Sequence, residues 1–176
     1  RYLQVLAEDV YHYEGVVDKF TGDGLMALFG APIAYENTAE RAMRAALDMQ
    51  AEIAMMRTSF LDEYGIALQM RIGLNSGSVI VGNVGVEQMM EYTAVGDTVN
   101  LASRLETAAQ PGSILVSEAV YRQTKALFAF KEMPRLNLKG YADPITGHPV
   151  LGVKRAPGSV RGIQGPSAPI SGRSKE

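Results

Sequence analysis

The stretch VVDKFTGDGLMALFG, residues 16–30, places two short apolar runs on either side of a polar turn. Residues 16–20 and 25–29 favour strands, and the TGDG between them has the Asp and Gly that tight hairpin turns prefer. The segment therefore predicts a β-hairpin with Lys19 on its first strand and Asp23 in its turn. Asp23 is either an ordinary solvated turn residue or an oxygen ligand for a hard cation such as Mg²⁺.

Composition narrows the class of protein. The chain has 176 residues, of which 47% are apolar and 20% charged, and its net charge is −2. This balance is typical of a globular domain and gives no general attraction to nucleic acid or anionic membranes. The chain has no cysteine, which excludes disulfides and thiolate chemistry. No apolar run approaches the ~18 residues of a membrane span. We expect a cytoplasmic domain with no membrane segment and no nucleic-acid partner.

Two helices are predicted in the first part of the chain. Apolar residues at helical spacing run from Tyr2 to Tyr13, and Gly15 closes that helix. The absence of a helix-start signal before Tyr2 suggests that the chain begins inside a helix, as a fragment would. A longer amphipathic helix is predicted from Thr38 to about Tyr64, with Asn37 as its N-cap.

The remaining elements complete an α+β pattern. They are a hairpin of strands 66–77 and 78–85, a strand at 91–96, a helix at 97–110 with Asp97 as its N-cap, a strand at 113–117, a helix at 118–128 and closing strands at 135–140 and 148–155. The order α-β-β-α-β-β-β-α-β-α-β-β predicts a mixed, mostly antiparallel sheet with helices packed on it. Residues 1–155 are expected to form one domain, and 156–176, rich in Gly, Pro and Ser, a flexible linker.

Three further polar residues are candidates for contact with a ligand. Asn100 and Arg104 are four residues apart, so on a helix they share a face. Arginine carries a planar, permanently charged fork that suits phosphate. Lys139 stands at the end of an apolar run. Each of these side chains is also compatible with a solvated surface, and the lone His12 and His148 are given no catalytic role.

Four segments in this order, DKFTGDGLMALFG, RIGLNSGSVIVGNVG, YTAVGDTVNLASRLE and LNLKG, resemble the class III adenylate and guanylate cyclase catalytic domain. The resemblance covers about residues 1–154, and the pairing of KFTGDG with GDTVNLASRLE is highly specific. It implies a ferredoxin-like βαββαβ core. It also implies formation of a cyclic nucleotide, in which the ribose 3′-oxygen attacks the α-phosphate and pyrophosphate leaves.

The resemblance implies a two-metal site shared by two chains. Asp23 matches one of the two aspartates that bind Mg²⁺ or Mn²⁺, two ions per site, and the domains pack head to tail as a homodimer. Lys19 is expected to serve the opposite site of the dimer, so the two opposite charges near the hairpin tip need not pair.

Lys19 and Thr93 match the two residues that read the purine. Lys19 can donate to adenine N1 and the Thr93 hydroxyl can accept from N6, whereas guanylate cyclases usually place Glu and Cys there. The pair implies ATP as substrate and resembles the bicarbonate-responsive adenylate cyclases. Asn100 matches the ribose-orienting asparagine, Arg104 the transition-state arginine, and Lys139 the lysine that holds the terminal phosphates.

One part of the family pattern has no counterpart in the chain. The second metal aspartate lies on a first strand, upstream of the helix that opens this sequence. We therefore expect these 176 residues alone to be inactive or nearly so and marginally stable, and the intact parent to be the adenylate cyclase. The tail resembles a joint that leads into an ATPase module. Two alternatives stay open: a cyclase-like regulatory or dimerisation module without turnover, and a guanylate cyclase.

Overall fold

The computed structural model describes residues 2–86, 89–133 and 135–154, and within residues 83–93 only the backbone is considered. Helices in these ranges are α1 (Tyr2–His12), α2 (Thr38–Tyr64), α3 (Asp97–Ala108) and α4 (Glu118–Thr124). Strands are β1 (Val16–Thr21), β2 (Gly24–Leu28), β3 (Ile72–Leu74), β4 (Ile80–Val86), β5 (Met89–Val95), β6 (Ile114–Ser117), β7 (Phe128–Phe130) and β8 (Gly147–Val153). The α+β class is confirmed. The order of helices and strands also matches the prediction, with β7 in place of the strand predicted at 135–140.

β1 and β2 form the predicted antiparallel hairpin. Its turn needs a glycine, because Gly22 has a φ of 68°, in the left-handed region. One face of the hairpin packs against α1 and α2 in a shared core, whose buried members are Leu6, Val10, Ala45, Met49 and Ile53. The helices thus hold the hairpin by one face, while its turn, which carries Asp23, is exposed.

A separate four-stranded sheet has the order β3-β6-β8-β7. β3 and β6 are parallel, and β8 is antiparallel to both β6 and β7. Every residue of β6 is buried. Its Ile114 and Val116 pack with Met43 of α2, Val120 of α4 and Phe128 of β7. This mixed sheet agrees with the predicted fold class.

The predicted hairpin between residues 66–77 and 78–85 is wrong. β3 is three residues long and pairs with β6, whereas β4 pairs with β5. The loop that follows β3 is fastened to the start of α3, where the Asn75 side chain donates to the Thr98 carbonyl at 3.0 Å. Because β4 pairs with β5 instead of β3, the alternating pattern of residues 66–85 does not form one hairpin.

Two of the predicted helix ends differ in detail. Glu14, with a φ of 59°, takes the left-handed conformation after α1, and Gly15 does not. Asn37 occupies the N-cap position of α2 as predicted, but its side chain makes no capping hydrogen bond, because its Oδ1 accepts from Arg41 Nε at 2.8 Å. The end of α2 is as predicted: Gly65 has a φ of 69° and its N–H bonds back to the helix.

The last part of the domain departs most from prediction. The helix predicted at 118–128 ends early as α4, because Phe128 is fully buried and begins β7. The strand predicted at 135–140 is reduced to a single bridge between Leu136 and Ile145. β7 takes its place as the partner of β8.

The linker predicted at 156–176 lies outside the described residues. Among the helices that the structure describes, none combines the length and apolarity that a membrane crossing requires.

β2 and β3 are outer strands within the described ranges. β2 pairs with β1, and β3 pairs with β6, with no ladder between β2 and β3. Both strands nevertheless border the same helical core, since Leu25 and Ala27 of β2 and Ile72 of β3 pack against it. The hairpin and the four-stranded sheet therefore rest on common helices, and in the described ranges no strand pairing joins β2 to β3.

Candidate active site

Asp23 lies at the exposed tip of the β1–β2 hairpin. The Tyr2 hydroxyl of α1 donates to the Asp23 backbone carbonyl at 2.7 Å, which ties the tip to the helix. Burial, and then the negative charge of Asp23, raise the pKa of Tyr2 above its usual value. The bond uses the carbonyl, so the carboxylate keeps its oxygens for other ligands.

Lys19 lies on β1 with its side chain 36% exposed. Its Nζ is 3.7 Å from Asp18 Oδ2. β1 contacts β5, the strand that contains Thr93. The Thr93 backbone pairs with Gly82, and its side chain lies outside the described part of the structure. The strands of the two predicted purine-reading residues are thus neighbours.

α3 carries Asn100 and Arg104 one turn apart. Asp97, predicted as the N-cap, is the first helical residue, and Gly96, with a φ of 137°, takes the cap position. The fully buried Leu105 anchors the helix to the domain. Around that anchor, the Asn100 side chain is exposed and that of Arg104 is partly buried.

The loop that carries Lys139 is held against α3. Its Leu138 is buried in a core with residues of α3, and its Tyr141 hydroxyl donates to Asp97 Oδ1 at 2.8 Å. Burial, then this hydrogen bond and the Asp97 charge, raise the pKa of Tyr141, and the Arg104 guanidinium opposes the increase. Arg104 follows Asp97 by two helical turns on α3, so it lies on the side of the helix where Tyr141 of the Lys139 loop binds.

Two groups of predicted site residues emerge. Arg104 and Lys139 belong to the α3 surface, and Asp23 belongs to the hairpin tip. In the ranges that the structure describes, no hydrogen bond or ion pair joins Asp23 to the other two residues. Those ranges also contain no group of three or more His, Cys, Asp or Glu side chains arranged to hold a metal ion. Asp23 could provide one oxygen ligand, which is fewer than a divalent cation requires.

Asp18 is the residue that sequence reasoning missed. Its side chain is 3% exposed, although it is a carboxylate next to the predicted purine-reading lysine. The available signal was a second acid within the DKFTGDG segment. A cavity of about 490 Å³, lined among others by Asp97, Glu118 and Arg135, also went unpredicted.

His148 joins β8 to α4 through its side chain. Its Nε2 lies 2.6 Å from Glu118 Oε2. Its ring stacks on the Tyr121 ring, with 4.0 Å between the ring centroids. The hydrogen bond from His148, and then that from Arg122, lower the pKa of Glu118. These contacts fasten α4 to β8.

Comparison with known proteins assigns the chain to a family. The profile of the family described as "Adenylate and Guanylate cyclase catalytic domain" matches residues 9–152. Adenylate cyclase 1 of Rhizobium meliloti is 35% identical over 161 residues, which are 88% of this chain and 24% of that protein. The adenylate cyclase of Mycobacterium bovis is 34% identical over 148 residues, 83% of this chain and 32% of that protein. The chain thus spans only a part of these relatives.

Solved structures agree with this assignment. The adenylyl cyclase CyaB from P. aeruginosa aligns with a TM-score of 0.81 at 32% identity, over 88% of this chain and 80% of that chain. The guanylyl cyclase Cya2 aligns equally well, with a TM-score of 0.81 at 31% identity over 89% of this chain and 80% of that chain. The α+β fold, the matched family profile and these structural relatives together show that the chain belongs to the class III adenylate and guanylate cyclase catalytic domain family.

Proposed function

We propose that this domain is the catalytic part of an adenylate cyclase, which converts ATP to 3′,5′-cyclic AMP and pyrophosphate for intracellular signalling. The observation that supports this proposal most is the Tyr141–Asp97 hydrogen bond, which fastens the Lys139 loop to α3 beside Arg104. Two cationic groups held on one surface suit a ligand with several phosphates.

In the proposed reaction, a bond forms between the ribose 3′-oxygen and the α-phosphorus. The bond from the α-phosphorus to the oxygen that bridges to the β-phosphate breaks, and the 3′-hydroxyl proton passes to solvent. Arg104 acts where negative charge builds up on the transferring phosphate. Asn100 orients the ribose, and Lys139 holds the phosphates that leave as pyrophosphate.

Asp23 fits one ligand position for Mg²⁺ or Mn²⁺, because it is an exposed carboxylate on a tethered turn. Bound ions would neutralise charge on the phosphate oxygens. We propose that a second aspartate lies on a strand outside residues 1–176 and that this strand fills the space between β2 and β3. Residues 1–176 alone would then be almost inactive.

Purine selection is assigned to Lys19 and Thr93, on neighbouring strands β1 and β5. Lys19 donates to adenine N1 and the Thr93 hydroxyl accepts from N6. Because guanine reverses both polarities, ATP is the proposed substrate. Cyclase rates that stay the same when bicarbonate is added at fixed pH would remove the idea of a bicarbonate response.

The two groups of site residues favour a composite site in a head-to-tail homodimer. In that arrangement Asp23 of one protomer faces Lys19, Asn100 and Arg104 of its partner. The absence of any hydrogen bond between Asp23 and Arg104 within one described chain agrees with this division.

Cyclic nucleotide production by the parent protein, assayed with Mn²⁺ and either ATP or GTP, tests the proposed function. We expect cyclic AMP to be the main product and residues 1–176 alone to make almost none. A preference for GTP would establish a guanylate cyclase instead. No product from either nucleotide would favour the alternative, a regulatory or dimerisation module without turnover.

A further inference from the structure

β1 contains one irregularity, and it falls at Asp18. Val17 pairs with Ala27, but Lys19 pairs with Met26, so β1 advances by two residues while β2 advances by one. Asp18 is therefore the extra residue of a β-bulge. Bulges bend a strand and redirect the side chains beside them.

The bulge decides which face of the hairpin Lys19 occupies. Directly opposed residues of an antiparallel pair share a face, and Ala27 packs in the core with α1 and α2. Val17 shares that face, and in a regular strand Lys19, two residues later, would share it too. Its actual partner, Met26, neighbours Ala27 and so lies on the other face. The bulge thus turns Lys19 away from the helices.

The Asp18 carboxylate lies beside the redirected ammonium group. The Asp18 side chain is 3% exposed, and its Oδ2 is 3.7 Å from Lys19 Nζ. Consecutive side chains of a regular strand point to opposite faces, so the bulge is also what permits this contact. A carboxylate buried this deeply requires charged or hydrogen-bonding neighbours, and Lys19 is one of them.

We propose that Asp18 is a positioning residue that sets the purine preference by holding the Lys19 ammonium in place, an inference that rests on the purine-reading role proposed for Lys19. A lysine ammonium on its flexible stem has three donors and no fixed direction. Contact with Asp18 restricts it, so that a remaining donor points towards a base acceptor such as adenine N1. Without the Asp18 charge, the Lys19 ammonium group is still present but is no longer held in one direction.

Amine labelling tests the contact without any need for turnover. In the full chain, Lys19 of the Asp18→Asn variant should react with an acylating reagent about two- to fivefold faster than wild type, as expected for loss of an ion pair. The matched control Asp62→Asn, an exposed acid of α2, should leave Lys19 labelling unchanged. Equal labelling of Lys19 in wild type and Asp18→Asn would overturn the proposal, whether or not the protein proves to be a cyclase.

Purine selectivity tests the consequence in the parent protein. Asp18→Asn should lower the ratio of kcat/KM for ATP to that for GTP about tenfold, mainly through KM for ATP, because a charge-assisted contact is lost. Asp62→Asn should keep the wild-type ratio. A lower kcat with an unchanged ATP/GTP ratio would indicate a merely structural role and reject the proposal. A parent with no product would reject the proposed function, and the labelling result would then decide on the Asp18–Lys19 contact alone.

A third variant keeps the contact testable if Asp18→Asn does not fold. Lys19→Met removes the cation and leaves the buried Asp18 carboxylate with less compensation, so Tm should fall by roughly 5 °C or more. Lys131→Met, at an exposed lysine, should not change Tm. An unchanged Tm for Lys19→Met would show that the Asp18–Lys19 contact does not stabilise the fold, and it would contradict the proposal.

Discussion

Arg104 and Lys139 differ from three arginines of the domain in what surrounds them. Arg41, Arg44 and Arg122 each form an ion pair with a glutamate. Within the described ranges, the side chains of Arg104 and Lys139 form no hydrogen bond or ion pair. Their charges are therefore available to phosphate groups of a ligand, which is the property that the proposed reaction requires.

Replacing Arg104 by alanine should lower kcat of the parent about 10²–10³-fold, because the guanidinium acts on charge that develops in the transition state. KM for ATP should change much less. Steady-state kinetics measure both values. Arg57→Ala, at an exposed residue of α2, serves as the control and should retain wild-type kinetics. A large rise in KM with kcat preserved would assign Arg104 to ground-state binding.

Asp9 of α1 lies in surroundings that disfavour the charged form of its carboxyl group. Its Oδ2 is buried and has no hydrogen-bond partner among the described residues. Burial, and then the charges of Asp48 and Glu52 on α2, raise the pKa of Asp9 to about 6, against a smaller opposing effect of His12. Since the folded state binds this proton more tightly than the unfolded state, the charged form of Asp9 weakens the fold above pH 6.

Asp9→Asn should therefore stabilise the protein at pH 7.5, by about 1–2 kcal/mol after allowance for solvent screening. The gain should shrink as pH falls from about 6 towards 4, because the wild-type carboxyl becomes protonated in the folded state. Denaturant unfolding at several pH values measures this difference. Asp62→Asn, at an exposed acid of α2 that is not among the charges acting on Asp9, is the control. A gain that does not vary with pH would show that ionisation of Asp9 is not the cause.

At the scale of elements, the position of α3 depends on a glycine. A Cβ added at Gly73 of β3 would lie 2.2 Å from the Ala102 carbonyl oxygen and 2.3 Å from the Glu106 nitrogen, both backbone atoms of α3. The helix that carries Asn100 and Arg104 thus packs directly on the backbone of β3. Neither helix nor strand can yield locally, because backbone cannot rotate away as a side chain does.

Gly73→Ala should displace α3 and lower the free energy of unfolding by roughly 1–3 kcal/mol, the usual cost of overpacking. In the parent it should also reduce activity, since the helix carries two proposed site residues. Thermal unfolding provides the first measurement. Gly82→Ala, where an added Cβ meets nothing within 4 Å, is the matched control for stability. Equal Tm values for the two variants would contradict this account of the α3 position.

Elements with local signals were predictable and those with distant partners were not. The β1–β2 hairpin and α2 follow from a turn sequence and a long apolar stripe. The pairing of Ile72 with Ile114 joins strands that are far apart in sequence, so no local pattern predicts it. Asn37 and Asp97 have the composition of caps, but their side chains bond to Arg41 and Tyr141 instead.

The candidate site was likewise predictable only where short sequence segments carry the signal. The roles of its six candidate residues came from the family resemblance, and these roles stay predictions. The bulge at Asp18 could not be predicted, because it depends on the register of β1 against β2. Likewise, the burial of the Asp18 carboxylate depends on tertiary packing that a single strand sequence does not contain.

At the scale of the whole molecule, the proposed catalyst is larger than one described chain. In the described ranges, β2 and β3 border a common helical core without pairing to each other. The hairpin tip and the α3 surface each carry part of the proposed machinery. A further strand between β2 and β3, and a second protomer, would complete both the sheet and the site. A C2 dimer of this kind contains two equivalent composite sites.

Complementation between inactive variants of the parent tests this division most directly. Asp23→Ala damages the metal half of each site, and Arg104→Ala damages the phosphate half that the partner contributes. Co-expressed chains of the two variants should form heterodimers with one intact site, which restores about a quarter of wild-type cyclic AMP production in a statistical mixture. Lys19→Ala mixed with Arg104→Ala should stay inactive, because both changes affect the same half. Failure of the first pair to regain activity in verified heterodimers, or recovery by the second, would contradict a site built across two protomers.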